Sequence, residues 1–183
     1  MKLLPQLKLK ALFTALFMFA AFATLQAQDK TKTIGNKPRE GSSNASFAVV
    51  RGQQLGIKMK AGSKPVQLLK LNFGVDNRMR DSIMFKVNVY EFNGKEPGEN
   101  LVKQNITGVI PKGKDRINVD LSPYNITAKG TILVAIEWLN TQSGPEPSFS
   151  IGLFNGGTYR YEVSEWKKMS VAGVDFNVLV KKL

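Results

Sequence analysis

The run "DSIMFKVNVYEF", residues 81–92, decides the fold. Ile83, Phe85, Val87 and Val89 fall on alternate positions, with Lys86 and Asn88 between them. A period of two puts the apolar set on one face of a strand and the polar set on the other. The next stretch, "NGKEPGEN" at 93–100, holds turn formers. Asn93-Gly94 supplies a tight left-handed turn, Pro97 stiffens the bend and Gly98 permits backbone angles closed to other residues. Leu101 and Val102 then return the chain to an apolar surface. A turn accounts for every special residue in this loop without invoking a ligand.

The same alternation recurs on both sides of that segment. Leu55, Ile57 and Met59 alternate cleanly, as do Ile117, Val119 and Leu121, and Phe149, Ile151 and Leu153. "PVQLLKLNFGV" places Leu69, Leu71 and Phe73 on one face, and the last run does the same with Phe176, Val178 and Val180. Phe47 and Val49 open the series. "TILVAIEWL", 131–139, is apolar on both faces, as a central strand must be. After residue 27 no segment shows a helical stripe of useful length. About nine short strands separated by turn signals predict an all-β antiparallel β-sandwich or jelly roll, with an up-and-down barrel as the structural runner-up. There is no internal repeat of fixed period, which excludes a propeller or solenoid.

Residues 1–27 read as a secretory signal peptide. Lys2, Lys8 and Lys10 precede the apolar run "ALFTALFMFAAFA", and "TLQAQ" follows. That run is too short for a membrane span, which needs roughly 20 apolar residues. Cleavage after Ala27 is expected, with Ala23 as second choice. Removing 27 of 183 residues leaves 156, enough for one domain with a single core. Residues 28–45, polar and rich in Lys, Gly and Ser, read as a flexible lead-in to a β-sandwich domain at 46–183. The product is expected to be exported, to periplasm, outer-membrane surface or medium. With no cysteine it can carry neither a disulfide nor a Cys-linked lipid, so stability rests on an ordinary core.

Composition excludes several chemistries. With no His and no Cys, the chain cannot build a Ser-His-Asp triad, a Cys-His pair or a His-ligated zinc site. No Gly-rich phosphate loop precedes a helix, so no nucleotide cofactor is expected. Net charge is +12, and loss of the three leader lysines brings it to +9, which favours anionic neighbours. The basic residues are scattered, and neither an aromatic RNA-binding motif nor a basic helix is present, so nucleic acid is not expected as a partner. Glu91, Asp120, Glu137, Glu162 and Glu165 are the carboxylates that a glycosidase-like pair would draw on. Glu137 interrupts an apolar strand, and its simpler reading is a carboxylate paired with a nearby Lys or Arg. Asp76, Asn77 and Asp81 offer oxygen ligands for calcium, but Arg78 and Arg80 among them oppose a divalent cation, and no metal is expected.

Aromatic residues remain. "FNGGTYRYEVSEWKKM" holds Tyr159, Tyr161 and Trp166, whose flat rings could stack on sugar rings, with Arg160 and Asn155 beside them to bond hydroxyls. The alternative is that these rings cover the end of the core; Trp138 is expected in the core itself. Sequons at Asn44, Asn105 and Asn125 would matter in a eukaryotic secretory pathway, whereas the short "QAQD" processing region reads as bacterial.

Three motifs carry a resemblance. They are Gly94, Pro97, Gly98 and Leu101 after the first strand; Val119, Asp120, Leu121, Ser122, Tyr124, Asn125 and Ile126; and Glu137-Trp138 closing an apolar strand. On these, and on "VVRGQQLGIKM" and "FNVLVKK", the chain resembles a jelly-roll-like β-sandwich domain of exported Bacteroidota proteins, found alone or beside carboxypeptidase-regulatory-like modules. The resemblance implies fold and compartment and brings no catalytic residue. The leading expectation is a secreted or envelope-associated, non-catalytic module that binds a surface glycan or an envelope protein. A carboxylate-based glycoside hydrolase or lyase and a purely structural envelope accessory protein are the alternatives.

Overall fold

The computed structural model describes residues 31–39 and 43–183; the signal-peptide reading of residues 1–27 lies outside the described residues. Its frame is one long strand, β3 (Gln54–Asn77), which starts in one layer and ends in the other. "AGSKP" does not end it. Gly62, at φ +115°, and register shifts on both sides of it bend the strand; Ser63, Lys64 and Pro65 bulge out of the ladder and pairing with β7 resumes at Val66. Along one flank of β3 run β7 (Thr127–Trp138), paired with 54–67, and β6 (Gly113–Asp120), paired with 70–77.

β6 and β7 are thus one broken companion strand, and the break is the "DLSPYN" motif. Asp120 Oδ1 accepts from Ser122 N at 2.9 Å and from Ser122 Oγ at 2.6 Å. Pro123 sits in a 3-10 turn, Ser122–Tyr124, and Asn125 closes it at φ 49°. These residues fit a kink by which the pair passes between layers.

The first layer is completed by β4 (Ile83–Glu91) beside β7, β5 (Thr107–Ile110) at its edge, and β9 (Thr158–Glu162) with β10 (Glu165–Met169) on the far side of β3. In the second, β12 (Asn177–Lys182) pairs with β3 and β1 (Thr31–Gly35) with β12. β8 (Ser148–Leu153) touches the end of β3 and pairs with β2 (Asn44–Ser46) and β11 (Ala172–Val174). Among the described residues all pairings are antiparallel, and twelve strands stand where the sequence suggests about nine. Among the described residues no helix is long and apolar enough to cross a membrane.

Aromatic rings join the layers. Phe73 of β3 meets Phe85 of β4 edge-on at 5.7 Å and Phe176 at 4.7 Å, and Trp138 lies 6.2 Å from Phe149. Such pairs contribute about 0.5–1.5 kcal/mol each beyond the area they bury. Ile83, Phe85, Val87 and Val89 all face inward, and Ile132 to Ile136 are buried on both faces of β7. The 93–100 loop is a turn as expected: Gly98 N bonds Glu91 O at 2.8 Å, Leu101 N bonds Val89 O at 2.7 Å, and Leu101 and Val102 pack on the core.

Two expectations are corrected. Residues 31–35, read as flexible lead-in, form edge strand β1 against β12, with Ile34 buried. One apolar residue among Thr, Lys and Gly gives no readable period, yet ladder bonds to a neighbouring strand suffice at an edge. Likewise 44–45 already belong to β2. Leu69 does not share a face with Leu71 and Phe73. The register slips between Leu179 and Val180, so Leu68 turns inward and Leu69 outward.

Candidate functional site

The outer face of the first layer is assembled by register. One row across it reads Lys86, Glu137, Gln54, Tyr161, Trp166. The next reads Asn88, Ala135, Gly56, Tyr159, Lys168, and the third Tyr90, Leu133, Lys58. Residues opposite one another in register share a face, so five strands contribute to one surface. Its centre, Gly56 and Ala135, has almost no side chain. A Cβ on Gly56 would lie 2.4 Å from Val134 O and 2.7 Å from Ala135 Cβ.

Polar groups beside that floor form a connected network. Asn88 Nδ2 donates to Glu137 Oε2 at 2.8 Å and Gln54 Oε1 at 3.1 Å. Tyr90 OH donates to the same Gln54 Oε1 at 2.9 Å, and Asn100 Nδ2 to Asn88 Oδ1 at 3.1 Å. Lys86 Nζ lies 3.1 Å from Glu137 Oε1. Burial raises the Tyr90 pKa, the bond to Gln54 opposes that, and the nearby Glu137 and Tyr161 raise it further. Tyr90 is therefore a neutral donor, which fixes Gln54 Oε1 as acceptor and turns Gln54 Nε2 outward.

Ring contacts show the face to be concave. Tyr90 on β4 and Trp166 on β10 have centroids 5.8 Å apart, although their strands lie four steps apart, roughly 19 Å on a flat sheet. Phe92 and Tyr159 meet at 5.3 Å across three steps. Sheet twist brings one diagonal of such a surface together, and the small residues at its centre leave room for it. Phe92, Leu133 and Tyr159 form a small second apolar cluster, rimmed by the part-exposed Tyr90 and Trp166. Tyr161 lies 5.3 Å from Trp166. Lys58 covers Phe92 at 4.9 Å and Lys168 covers Tyr159 at 5.7 Å.

The five residues marked from sequence separate here. Tyr161 and Trp166 stand together on the rim. Tyr159 shares their face but is only 6% exposed, and burial raises its hydroxyl pKa; it supports the rim and cannot stack on a ligand. Arg160 points to the opposite face, against Phe47 at 5.4 Å and paired with Glu162, because β9 alternates. Asn155 lies on the loop before β9 and exchanges two bonds with Gly173, so it secures β11. Gln54, Asn88, Tyr90 and Lys86 enter the site unforeseen, because only register across β4, β7, β3, β9 and β10 brings them together.

Of the five carboxylates only Glu162 and Glu165 stand opposite one another, across β9 and β10, and each has its own cation. Glu137 is held by Lys86 and Asn88, Asp120 by Ser122, Glu162 by Arg160, Glu165 by Lys167, and Glu91 meets Asn93 at 3.4 Å. The three rows place Glu137 alone among acids on the concave face. In the calcium candidate, Arg78 takes Asp76 at 2.9 Å, while Asn77 is buried, bonding Asp81 O and Met79 N. Among the described residues no group of three or more His, Cys, Asp or Glu is placed to hold a metal.

No family model matches the chain, and no curated protein matches it in sequence. Solved structures share its fold. The clostridial cysteine protease Cwp84 after propeptide cleavage superposes with a TM-score of 0.62 at 12% identity, covering 84% of this chain and 40% of that one. A second structure holds the cysteine protease and lectin-like domains of Cwp84, a surface-layer-associated protein of Clostridium difficile. It gives 0.56 at 11% identity, over 79% and 37%. The chain thus spans about two fifths of the length of these structures, and identities this low speak for fold alone. The CBM35 module of Cellvibrio japonicus Abf62 gives 0.40 at 16% identity, over 68% of this chain and 82% of that one, a likeness too loose to carry an argument.

Proposed function

We propose that this chain is a non-catalytic β-sandwich module of an exported protein, and that its concave sheet face binds a glycan. The observation that carries the reading is the rim. Tyr161 and Trp166 stand part-exposed beside the Gln54, Asn88 and Glu137 network, and Gln54 Nε2, the Tyr161 hydroxyl and the Trp166 indole N–H make no hydrogen bond to protein among the described residues. Sugars present apolar ring faces and outward hydroxyls at once, and rings beside unused donors and the paired Glu137 complement both. These three donors are open to meet ligand hydroxyls in place of water.

The Cwp84 likeness agrees with this in one respect. A chain without Cys or His cannot serve as a cysteine protease, and the lectin-like part of that protein is the reading compatible with it. Retaining or inverting hydrolysis needs two carboxylates roughly 5–9.5 Å apart, which a face with Glu137 alone does not offer. Export, to periplasm or surface, follows from the reading of residues 1–27 and would place the module among envelope polysaccharides.

A glycan array run beside a pull-down from envelope extract tests the proposal. Binding to polysaccharide that disappears in Trp166→Ala and Gln54→Ala, with circular dichroism unchanged, is expected. Capture of an envelope protein with no glycan bound would make the partner a protein, and silence in both assays would leave a structural accessory.

A further inference from the structure

The outer face of the second layer carries a cleft of about 550 Å³ at the junction of β3, β6 and β8. Register sets its floor: Gly74 lies opposite Arg116, Asp76 lies between Lys114 and Ser148, and Ser150 faces Asn44. The floor is open because Gly74 has no side chain; a Cβ there would lie 3.0 Å from Arg116 Nη2 and 3.1 Å from Ser150 Oγ.

Hydrogen-bonding capacity in this cleft is lopsided. Each carboxylate here already holds a partner through at least one oxygen. Asp175, 1% exposed, takes Gly74 N at 2.8 Å, Arg39 N at 3.1 Å and Arg116 Nη2 at 2.7 Å. Asp76 is held by Arg78, and Asp115 Oδ1 accepts from Arg116 N at 2.7 Å. Four donor groups beside Arg78 and Arg116 hold no such partner. Ser148 and Ser150 are each 6% exposed, line the cleft, and bond no protein group through their hydroxyls among the described residues. The Arg39 guanidinium and the Lys114 ammonium have no carboxylate partner among the described residues. The two hydroxyls are not sealed in the interior but open into the cleft, and cations in a walled cleft focus a positive field.

We propose that this cleft binds an oxyanion, a carboxylate, sulfate or phosphate group, with Arg39 and Lys114 supplying the charge, Arg116 a positioned donor, and the Ser148 and Ser150 hydroxyls directing the bonds. Arg116 is preset for it, since Asn72 Oδ1, Arg39 O and Asp175 fix its guanidinium. The site uses no residue of the aromatic face and stands independently of the glycan reading.

Titration calorimetry with inorganic sulfate and inorganic phosphate tests it. Saturable binding that weakens with added chloride is expected, and Arg39→Gln with Lys114→Gln lowers affinity about tenfold or more. Ser150→Ala, a change too small to unfold the chain, also weakens it, while Lys64→Gln and Trp166→Ala leave it unchanged. Sulfated dextran against neutral dextran locates the source. Tighter binding of the sulfated polymer assigns the oxyanion to a polysaccharide, and equal affinity for free sulfate assigns it to a small anion. Absence of saturable binding up to tens of millimolar, full affinity in the folded double variant, or loss of binding in Trp166→Ala would each overturn the assignment.

Discussion

Replacing Arg116 by Met removes the guanidinium that faces a buried carboxylate. Asp175 is 1% exposed, and its charge is met by Arg116 Nη2 at 2.7 Å, with two backbone amides completing its shell. Met retains most of the apolar stem and deletes only the counter-charge and its bonds to Asn72 and Arg39 O. Breaking one side of a buried ion pair costs about 3–5 kcal/mol. The Arg116 side chain is 32% exposed, so water reaches the pair. With two amides still bonding Asp175, the expected loss falls to about 2–3 kcal/mol. For a chain of this size that lowers Tm by roughly 4–12 °C. Urea unfolding at neutral pH measures it. Asp175→Asn in the Arg116→Met background removes the orphaned charge and should restore at least about 1 kcal/mol, a coupling of the size neighbours show. A loss below about 0.5 kcal/mol, or a double variant weaker than either single one, would show that Asp175 is not the charge this region is built around.

Other perturbations have expected outcomes. Gly56→Val forces a side chain into Val134 O and Ala135 and should cost about 1–3 kcal/mol or more, read by thermal melting. Asn77→Ala removes the bond that buried Asn77 donates to Asp81 O and the one it accepts from Met79 N, and should cost about 1–3 kcal/mol in urea unfolding. Lys103→Ala breaks an exposed pair with Glu99 and should leave the urea-unfolding midpoint unmoved, because water and salt screen both charges. Tyr90 and Tyr159 are raised in the folded chain, chiefly by burial. Unfolded tyrosine releases its proton near pH 10. Above that pH the native state holds protons the unfolded chain has lost, so stability should fall as pH rises further. Ultraviolet titration should show a late phenol step that shrinks in Tyr90→Phe.

The strand faces were legible where one residue decided them. Alternation at Ile83, Phe85, Val87 and Val89 needs no partner to be read, and an unbroken apolar run such as 132–136 has to lie between two strands. The turn at 93–100 was equally plain, because its Gly and Pro do local work. Bends that depend on a neighbour were not legible. "AGSKP" has the composition of a turn, yet β7 keeps pairing past it, and the residue at which Leu68 and Leu69 exchange faces is set by β12. The aromatic residues of the site were visible as a cluster, but alternation along β9 sends Arg160 to the other face. Gln54, Asn88, Tyr90 and Trp166 lie up to 112 residues apart in the chain, and only strand order and twist bring them together.

The most direct test of glycan binding on the concave face is tryptophan fluorescence. Trp138 is 1% exposed and Trp166 is part-exposed on the rim, so a quencher such as acrylamide reports mainly on Trp166. With a polysaccharide selected by array, quenching of wild type should fall as ligand is added, and calorimetry should show affinity lost at least about tenfold in Trp166→Ala. Bound polysaccharide that leaves Trp166 as open to acrylamide as before, with Trp166→Ala binding at full strength, would place recognition elsewhere on the molecule.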